Sequence, residues 1–334
     1  MKIITERLDL SPDNLPFLNQ LYSLEDFFLF DIETTGLNHT HSRVILIGYI
    51  HWVGDHFQLK QLFCKGVEEE ALLLQHFLQD VIGKTCLVTF NGQSFDIPFM
   101  NSRYRLLDIP FQLDKRFSLD VLRCVRKAQE QLQFENYKLK TVEKYLGIER
   151  QDQISGKESV EMYLEYARTG NPQLEKTILL HNYEDILYLV PCMDILNHIG
   201  WDIIWKEAPL SVPIFGHLGY LHDVKVQGHQ IMVQVFIPQL FQRDQQHFEA
   251  PVPWSYGVSS NLFSLTLPCF QLDLGSEKSL FLDIDHVSQG DIQFNDLPTA
   301  DKQALQMGSK KDLNMYNLHQ FLMDYCTHAF SQRD

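Results

Sequence analysis

Asp31 and Glu33 stand two residues apart at the end of an apolar run, Phe27-Phe28-Leu29-Phe30, that closes on Thr34-Thr35-Gly36. An apolar run ended by a glycine turn reads as a buried strand. Side chains at i and i+2 of a strand leave the same face, so these two carboxylates sit side by side. Carboxylates held that close repel unless a proton or a cation lies between them. Oxygen ligands of this type suit Mg²⁺ or Mn²⁺. Asp96 follows a second apolar run, residues 85–90, within Asn91-Gly92-Gln93-Ser94-Phe95-Asp96-Ile97-Pro98. Functional groups of open α/β sheets gather at such strand ends; the alternative role for Asp96 is to cap the helix that Pro98 enters. Asp185 lies four residues after His181, so the two share one helix face. Tyr183 points to the other side of that helix. Leu179, Ile186 and Val190 make part of it apolar, and a carboxylate set among them needs a partner, for which a metal ion would serve.

The elements that must position these groups can be read from periodicity. Residues 43–52 are rich in β-branched and aromatic types, and Gly54-Asp55 turns them back into an alternating run, 56–64. With the strand bearing Asp31 they form an antiparallel meander. Residues 68–81 have helical spacing with acids in the first turn. Helices are expected over 95–107, 117–129, 138–145 (stopped at Gly147), 159–168 and 174–198. Ser11 to Asn14 reads as a turn or helix start within a lead segment, 1–25. Gly200, Pro209 and Pro213 mark a change of composition. Beyond them, β-rich runs at 230–236, 262–267 and 279–284 precede a terminal helix, 315–330. The division is therefore 1–25 lead, 26–200 catalytic region and 201–334 β-rich accessory region. Asp283-x-Asp285 reads as a solvated strand end.

The 334 residues are 45% hydrophobic and 21% charged, a globular composition of a length that suggests two domains. No apolar run reaches the roughly 20 residues of a membrane span, and the N-terminus lacks the apolar core of a secretory signal. The six cysteines are scattered with no CxxC pair, which predicts free buried thiols and a cytoplasmic location. The net charge of −15 argues against a general nucleic-acid surface, but residues 101–150 carry 11 basic and 7 acidic groups, a net of +4. Such a stripe either tracks phosphates or is a solvated helix face.

Asp31-x-Glu33-Thr34-Thr35-Gly36, Asn91-Gly92-x-x-Phe95-Asp96-x-Pro98, and Asp185 with a ring residue four places before it resemble the three motifs of the DEDD 3′–5′ exonuclease superfamily. Within it, the second motif and the run Leu139-Lys140-Thr141-Val142-x-Lys144-Tyr145-Leu146-Gly147 look most like the bacterial YprB-type branch and the proofreading domains of family B polymerases. Gly156-Lys157 followed by Tyr163 also resembles the YprB-type pattern. The resemblance covers about residues 25–200 and implies a ribonuclease-H-like α/β fold. That fold would have a mixed sheet of about five strands, the meander plus two parallel strands, flanked by helices. It also implies that Asp31, Glu33, Asp96 and Asp185 bind two divalent ions, Mg²⁺ or Mn²⁺, and that single-stranded DNA or RNA ends are hydrolysed to nucleoside 5′-monophosphates. Two such metals stabilise both the attacking and the leaving oxygen of an in-line displacement.

Position 181 departs from the pattern: its spacing to Asp185 is that of the tyrosine-type subfamily, but the residue is histidine. An imidazole is a better base near neutral pH than a phenol, so His181 is expected to orient or deprotonate the attacking water. Thr34, Thr35, Asn91, Phe95, Arg103 and Lys138 are the expected substrate contacts, with Tyr104 a further candidate to stack on bases and Phe95 more a core residue than a platform. An inactive nuclease fold used for binding or scaffolding, and an endonuclease on the same metal chemistry, are the competing readings. Retention of four converging acids speaks against the first.

Overall fold

The computed structural model describes residues 1–11, 22–152, 154–248, 252–274, 278–288, 299–301 and 304–330. The turn expected from Ser11 to Asn14 therefore falls, from Pro12 on, outside the described residues. The chain divides into two compact units, Met1–Ala208 and Pro209–Asp334.

The first unit is built on a mixed sheet of β1 (Lys2–Leu8), β2 (Phe27–Thr34), β3 (Val44–Val53), β4 (His56–Phe63), β5 (Cys86–Thr89) and β6 (Ser118–Asp120). Their order is β1-β4-β3-β2-β5-β6. The meander β2-β3-β4 is antiparallel as expected, and β5 and β6 run parallel to β2. Six strands replace the expected five because Lys2–Leu8, placed in a lead segment, pairs with β4 from Lys2↔Phe63 to Leu8↔Phe57. As an edge strand it shows no continuous apolar run, and its partner lies some fifty residues away, so no local signal marks it. The start of the helix expected at 117–129 is instead the three-residue strand β6; the helical part begins at Val121, runs to Lys127 and resumes at Gln129.

β2 is buried on both faces, which explains its unbroken run of phenylalanine and leucine. Phe28 and Phe30 face one core with Tyr49, Leu73 and Phe77. Phe27 and Leu29 face the other, with Val88, Leu119, Ile186, Leu189 and Val190. The first core is covered by α1 (Glu70–Val81) and α2 (Asp96–Leu106). Helices α3 (Val121–Lys127), α4 (Gln129–Leu132), α5 (Leu139–Tyr145), α6 (Gly156–Thr169), α7 (Pro172–Cys192) and α8 (Trp201–Glu207) complete the unit. By strand alternation, Asp31 and Glu33 share the face of Phe27 and Leu29, the face that α7 covers.

α7 begins at Asn171, whose side chain accepts from the Gln173 N–H, with Pro172 in the first turn. It ends at Cys192, just past Pro191, and the residues expected to extend it to 198 form a 3₁₀ turn. α6 carries a reciprocal cap between Ser155 and Glu158 and ends at Gly170, φ 65°. α7 packs close to β3 because Gly48 lies opposite Asp31 in the register. A Cβ at Gly48 would stand 2.2 Å from Asn182 Oδ1 and 2.7 Å from Ile186 Cδ1.

The second unit is β-rich. β7 (Ser211–Ile214), β8 (His217–Gln227), β9 (Gln230–Phe236), β10 (Gln245–His247), β11 (Trp254–Gly257), β12 (Leu262–Asp273), β13 (Lys278–Asp283), β14 (Thr299–Asp301) and β15 (Ala304–Gln306) make a nine-stranded sheet. Ile231, Val233 and Val235 of β9 lie buried opposite Leu267, Leu265 and Phe263 of β12. The short helix α9 (Ile284–Ser288) follows β13, and α10 (Met315–Ala329) packs on β7, where His319 Nε2–H donates to the Ser211 carbonyl at 2.7 Å. Asp283 accepts from the His286 N–H, as a strand-end cap would, whereas the Asp285 side chain lies outside what is described. All six cysteines are unpaired and buried. Among the described residues no helix is long and apolar enough to cross a membrane.

Gly48→Ala is expected to lower stability by about 1–3 kcal/mol, the usual cost of inserting a methyl group into a packed contact. Urea denaturation measures it, and an unchanged midpoint would show that helix and sheet are not in close contact here.

Candidate active site

The acids of the sequence motifs converge. Asp31 and Glu33 come from the C-terminal end of β2, Asp96 from the first residue of α2, and His181 and Asp185 from adjacent turns of α7. Glu33, Asp96 and His181 are buried; Asp31 and Asp185 are partly exposed. His181 Nε2 lies 3.4 Å from Glu33 Oε1 and 3.7 Å from Asp185 Oδ2. Ligating atoms of Glu33, His181 and Asp185 all fall within 4.8 Å of one another.

Each of the four carboxylates has one oxygen held by the protein. Asn182 Nδ2 donates to Asp31 Oδ2 at 3.1 Å, and Ser159 Oγ to Glu33 Oε2 at 3.1 Å. The Ile32 N–H donates to Asp96 Oδ1 at 3.2 Å, and Arg150 Nη1 stands 2.5 Å from Asp185 Oδ1. For Glu33 and Asp185 the other oxygen faces His181. Asn182 is itself oriented by Gln61 Nε2, which donates to its Oδ1 at 2.9 Å. Asp120, at the end of β6, accepts from the N–H groups of Asn91, Gln93 and Leu122 and so fixes the turn that delivers Asp96. Asn91 there has φ 77°, in the left-handed region that Asn tolerates.

Crowding sets the electrostatics. Burial, then Asp96, Asp185 and Glu33, hold the Asp31 carboxyl well above its ordinary range. Burial pushes Glu33 up to about 7 despite the opposing pull of His181, and pushes Asp96 up to about 7. Burial pulls His181 down, but Asp185, Glu33 and Asp152 outweigh it and the imidazole ends above its usual value. A set of carboxylate oxygens that must otherwise share protons near neutrality is the donor set a hard divalent cation requires. The residues fit such an ion.

Residues 28–197 match the family model RNase_H_2, described as RNase_H superfamily. The chain belongs to the RNase H superfamily. It is 33% identical over 172 residues to "Uncharacterized protein YprB" of Bacillus subtilis (strain 168), covering 51% of this chain and 41% of that protein. The chain thus spans about two fifths of its relative's length. Among solved structures it is similar to the family B DNA polymerase from Pyrobaculum calidifontis, with 15% identity, TM-score 0.43, and 54% of this chain and 25% of that one covered. It is also similar to E. coli exonuclease I in complex with a dA16 oligonucleotide, with 16% identity, TM-score 0.30, and 63% and 54% covered.

The substrate contacts expected of this RNase H superfamily chain are placed less uniformly. Arg103 is wholly buried and bonds Glu70 through Nε at 2.7 Å and Nη2 at 2.8 Å, with Nη1 3.2 Å from the Thr40 carbonyl. It is a structural ion pair rather than a phosphate contact. Tyr104 is likewise buried and packs edge-on against Phe111, so it offers no stacking face. Thr34 Oγ1 donates to the Gly36 carbonyl and Thr35 Oγ1 accepts from the Arg43 N–H, so both hydroxyls brace the turn after Glu33. Phe95 packs on Phe99 at the margin of the core. Lys138 is exposed at the start of α5. Much of the basic stretch is engaged by nearby acids: Arg116 by Asp114, Arg123 and Lys127 by Glu207, and Lys140 by Asp152.

Sequence reasoning missed Asn182, Ser159, Arg150, Asp152 and Asp120. Asn182 had a usable signal, lying three residues before Asp185 on a shared helix face. The others reach Glu33, Asp185, His181 and the turn at Asn91 to Gln93 across 27 to 126 residues of chain, where periodicity is silent.

Two outcomes follow. Arg103→Met should cost about 3–5 kcal/mol in urea denaturation, because buried Glu70 loses its two-pronged partner and keeps only the Val44 N–H and Arg43 at 3.7 Å. For the cluster, burial lifts Glu33 and Asp96 to about 7, so the stability they contribute is complete below the unfolded pKa and is lost as pH rises through about 7, and the raised His181 acts in the same direction. The metal-free melting temperature should fall between pH 5 and pH 8, and Mn²⁺ should raise it more at pH 8 than at pH 5.5. Equal Mn²⁺ shifts at both pH values would rule out binding by these carboxylates.

Proposed function

We propose that the chain is a metal-dependent 3′–5′ exonuclease that hydrolyses phosphodiester bonds at single-stranded DNA or RNA ends to nucleoside 5′-monophosphates. The observation that carries this reading is the meeting of Asp31, Glu33, Asp96 and Asp185 with His181 in one cluster, on a sheet of the RNase H superfamily. Polarity of digestion, and a pair of ions rather than one, come from the resemblance of the three motifs to the DEDD exonucleases, nearest their YprB-type branch.

Asp31, Glu33, Asp96 and Asp185 would hold the Mg²⁺ or Mn²⁺ ions, which when bound supply Lewis-acid stabilisation of the charge that develops on phosphate oxygens. The remaining work belongs to the chain. Asn182, Ser159, the Ile32 N–H and Arg150 each tie one carboxylate oxygen and so fix the direction of the other. His181 Nδ1 is held by Asp152 Oδ2 at 2.8 Å, which turns Nε2 toward Glu33 and Asp185. Nε2 is then the atom placed to take a proton from an attacking water, with Asp152 offsetting the charge the ring acquires. The same orientation supports histidine in the role of base at position 181, where it stands at tyrosine-type spacing. Thr34, Thr35, Asn91 and Phe95 lie next to the acids in sequence and would meet the terminal nucleotide mainly through backbone and ring surface. The second unit is proposed as an accessory region.

Release of mononucleotides from a 3′-labelled oligonucleotide in Mn²⁺ tests the reading. Asp31→Asn should abolish release, and His181→Asn should lower it by about 10²–10⁴-fold, the usual range for a lost general base. No release from DNA or RNA would sink the proposal, and cleavage that persists on a 3′-blocked strand would point to an endonuclease.

A further inference from the structure

One buried network beside the site ties the third motif to residues that the metal-binding motifs do not include. Arg150, Gln151 and Asp152 lie on the connection between α5 and α6, and they meet a single stretch of α7. Glu184 accepts the backbone N–H groups of Gln151 at 3.2 Å and Asp152 at 2.7 Å, so the helix grips the loop's main chain. In return the loop's side chains grip the helix: Asp152 Oδ2 meets His181 Nδ1 at 2.8 Å, and Arg150 Nη1 meets Asp185 Oδ1 at 2.5 Å. The signs are complementary, with a carboxylate behind the imidazole and a guanidinium behind the carboxylate.

The heart of the network is buried, with side-chain exposures of 6% for Arg150 and 2% for both Asp152 and Glu143. Arg150 is anchored from behind by Glu143, Nη2 to Oε1 at 2.5 Å, and lies over the Tyr188 ring at 5.8 Å. Asp152 is further held by Lys140 Nζ at 3.2 Å and accepts the Ile154 N–H at 3.1 Å. Charges buried this deeply are costly unless mutually paired, and a surface loop has no need of them to close a turn. Their arrangement does one specific thing: it leaves His181 Nε2 facing Glu33 Oε1 and Asp185 Oδ2.

We propose that Arg150 and Asp152 are the positioning residues of this site, a two-sided clamp that sets which oxygen of Asp185 is offered to a cation and which nitrogen of His181 faces the reaction. The clamp rests on the nuclease reading for its purpose, but not for its test. Carboxylates that ligate metal are themselves held by hydrogen bonds, and loss of such a partner typically costs 10–100-fold in metal affinity.

The first measurement is calorimetric titration of the full chain with Mn²⁺ alone. Arg150→Gln should bind at least about 10-fold more weakly, and should weaken binding no further when added to Asp185→Asn. If Arg150→Gln does not fold, Arg150→Lys, which keeps the charge and loses the two-pronged geometry, should still bind more weakly than the parent. Unchanged affinity with only a lower melting temperature would mean that Arg150 merely supports the fold. Tighter binding would mean that it competes with the cation, and a parent chain that takes no Mn²⁺ would remove its role. Each of these overturns the proposal. The second measurement needs no metal: the ¹⁵N spectrum of the neutral His181 ring should show the Nδ1–H tautomer in the parent and in Asp152→Asn, and a mixture in Asp152→Ala. An Nε2–H tautomer in the parent would overturn the clamp. Success in both measurements without nucleotide release would leave the clamp standing and refute the nuclease reading.

Discussion

Four carboxylates at the end of one buried strand are the constraint on which this structure turns. Burial holds the carboxyls of Asp31, Glu33 and Asp96 above their ordinary range, and the charges of neighbouring carboxylates, Asp185 among them, add to the effect. Left alone, such a cluster would push its strand ends apart or take up protons. The surrounding chain answers by supplying a donor to each acid: an amide, a hydroxyl, a backbone N–H and a guanidinium. Those four donors come from β2, α6, α7 and the loop before α6, so holding the acids also fixes how helices lie on the sheet.

The close fit of α7 against the sheet follows from the same need. Asn182 reaches Asp31 only because Gly48, directly opposite Asp31, has no side chain. Gln61 on the next strand then orients Asn182. A polar chain thus runs from β4 through α7 to β2 inside an otherwise apolar layer. Polar groups buried in that way rigidify a site when every member is satisfied. His181 gains its direction similarly, from Asp152 on one side and the two acids on the other.

The basic stretch 101–150 shows how composition misleads when charge is read without distance. Its net of +4 left a phosphate track and a solvated helix face equally open, and Arg103, Arg116, Arg123, Lys127 and Lys140 instead pair with acids of the same unit. Arg103 in particular serves the core beneath the site, clamped to Glu70, whose carboxylate also accepts the Val44 N–H at the start of β3. A charge count adds residues along the chain, whereas pairing depends on which elements pack together.

By itself the sequence determined the elements whose signal is local. Period-2 and apolar runs marked β2 to β5 and three of the nine strands described in the second unit, β9, β12 and β13, and helical spacing marked α1, α2 and α7. Strand alternation put Asp31 beside Glu33, and helix geometry put His181 beside Asp185. The motif order brought Asp96 into the same set. Tertiary structure alone decided the sixth strand at the sheet edge, the brief strand Ser118–Asp120 hidden in a helical pattern, the burial of Arg103, and the partners Ser159, Arg150 and Asp152. The physical reason is the same in each case. Periodicity reports a residue's own strand or helix, while hydrogen bonds and ion pairs between distant segments exist only once the sheet and its covering helices have assembled.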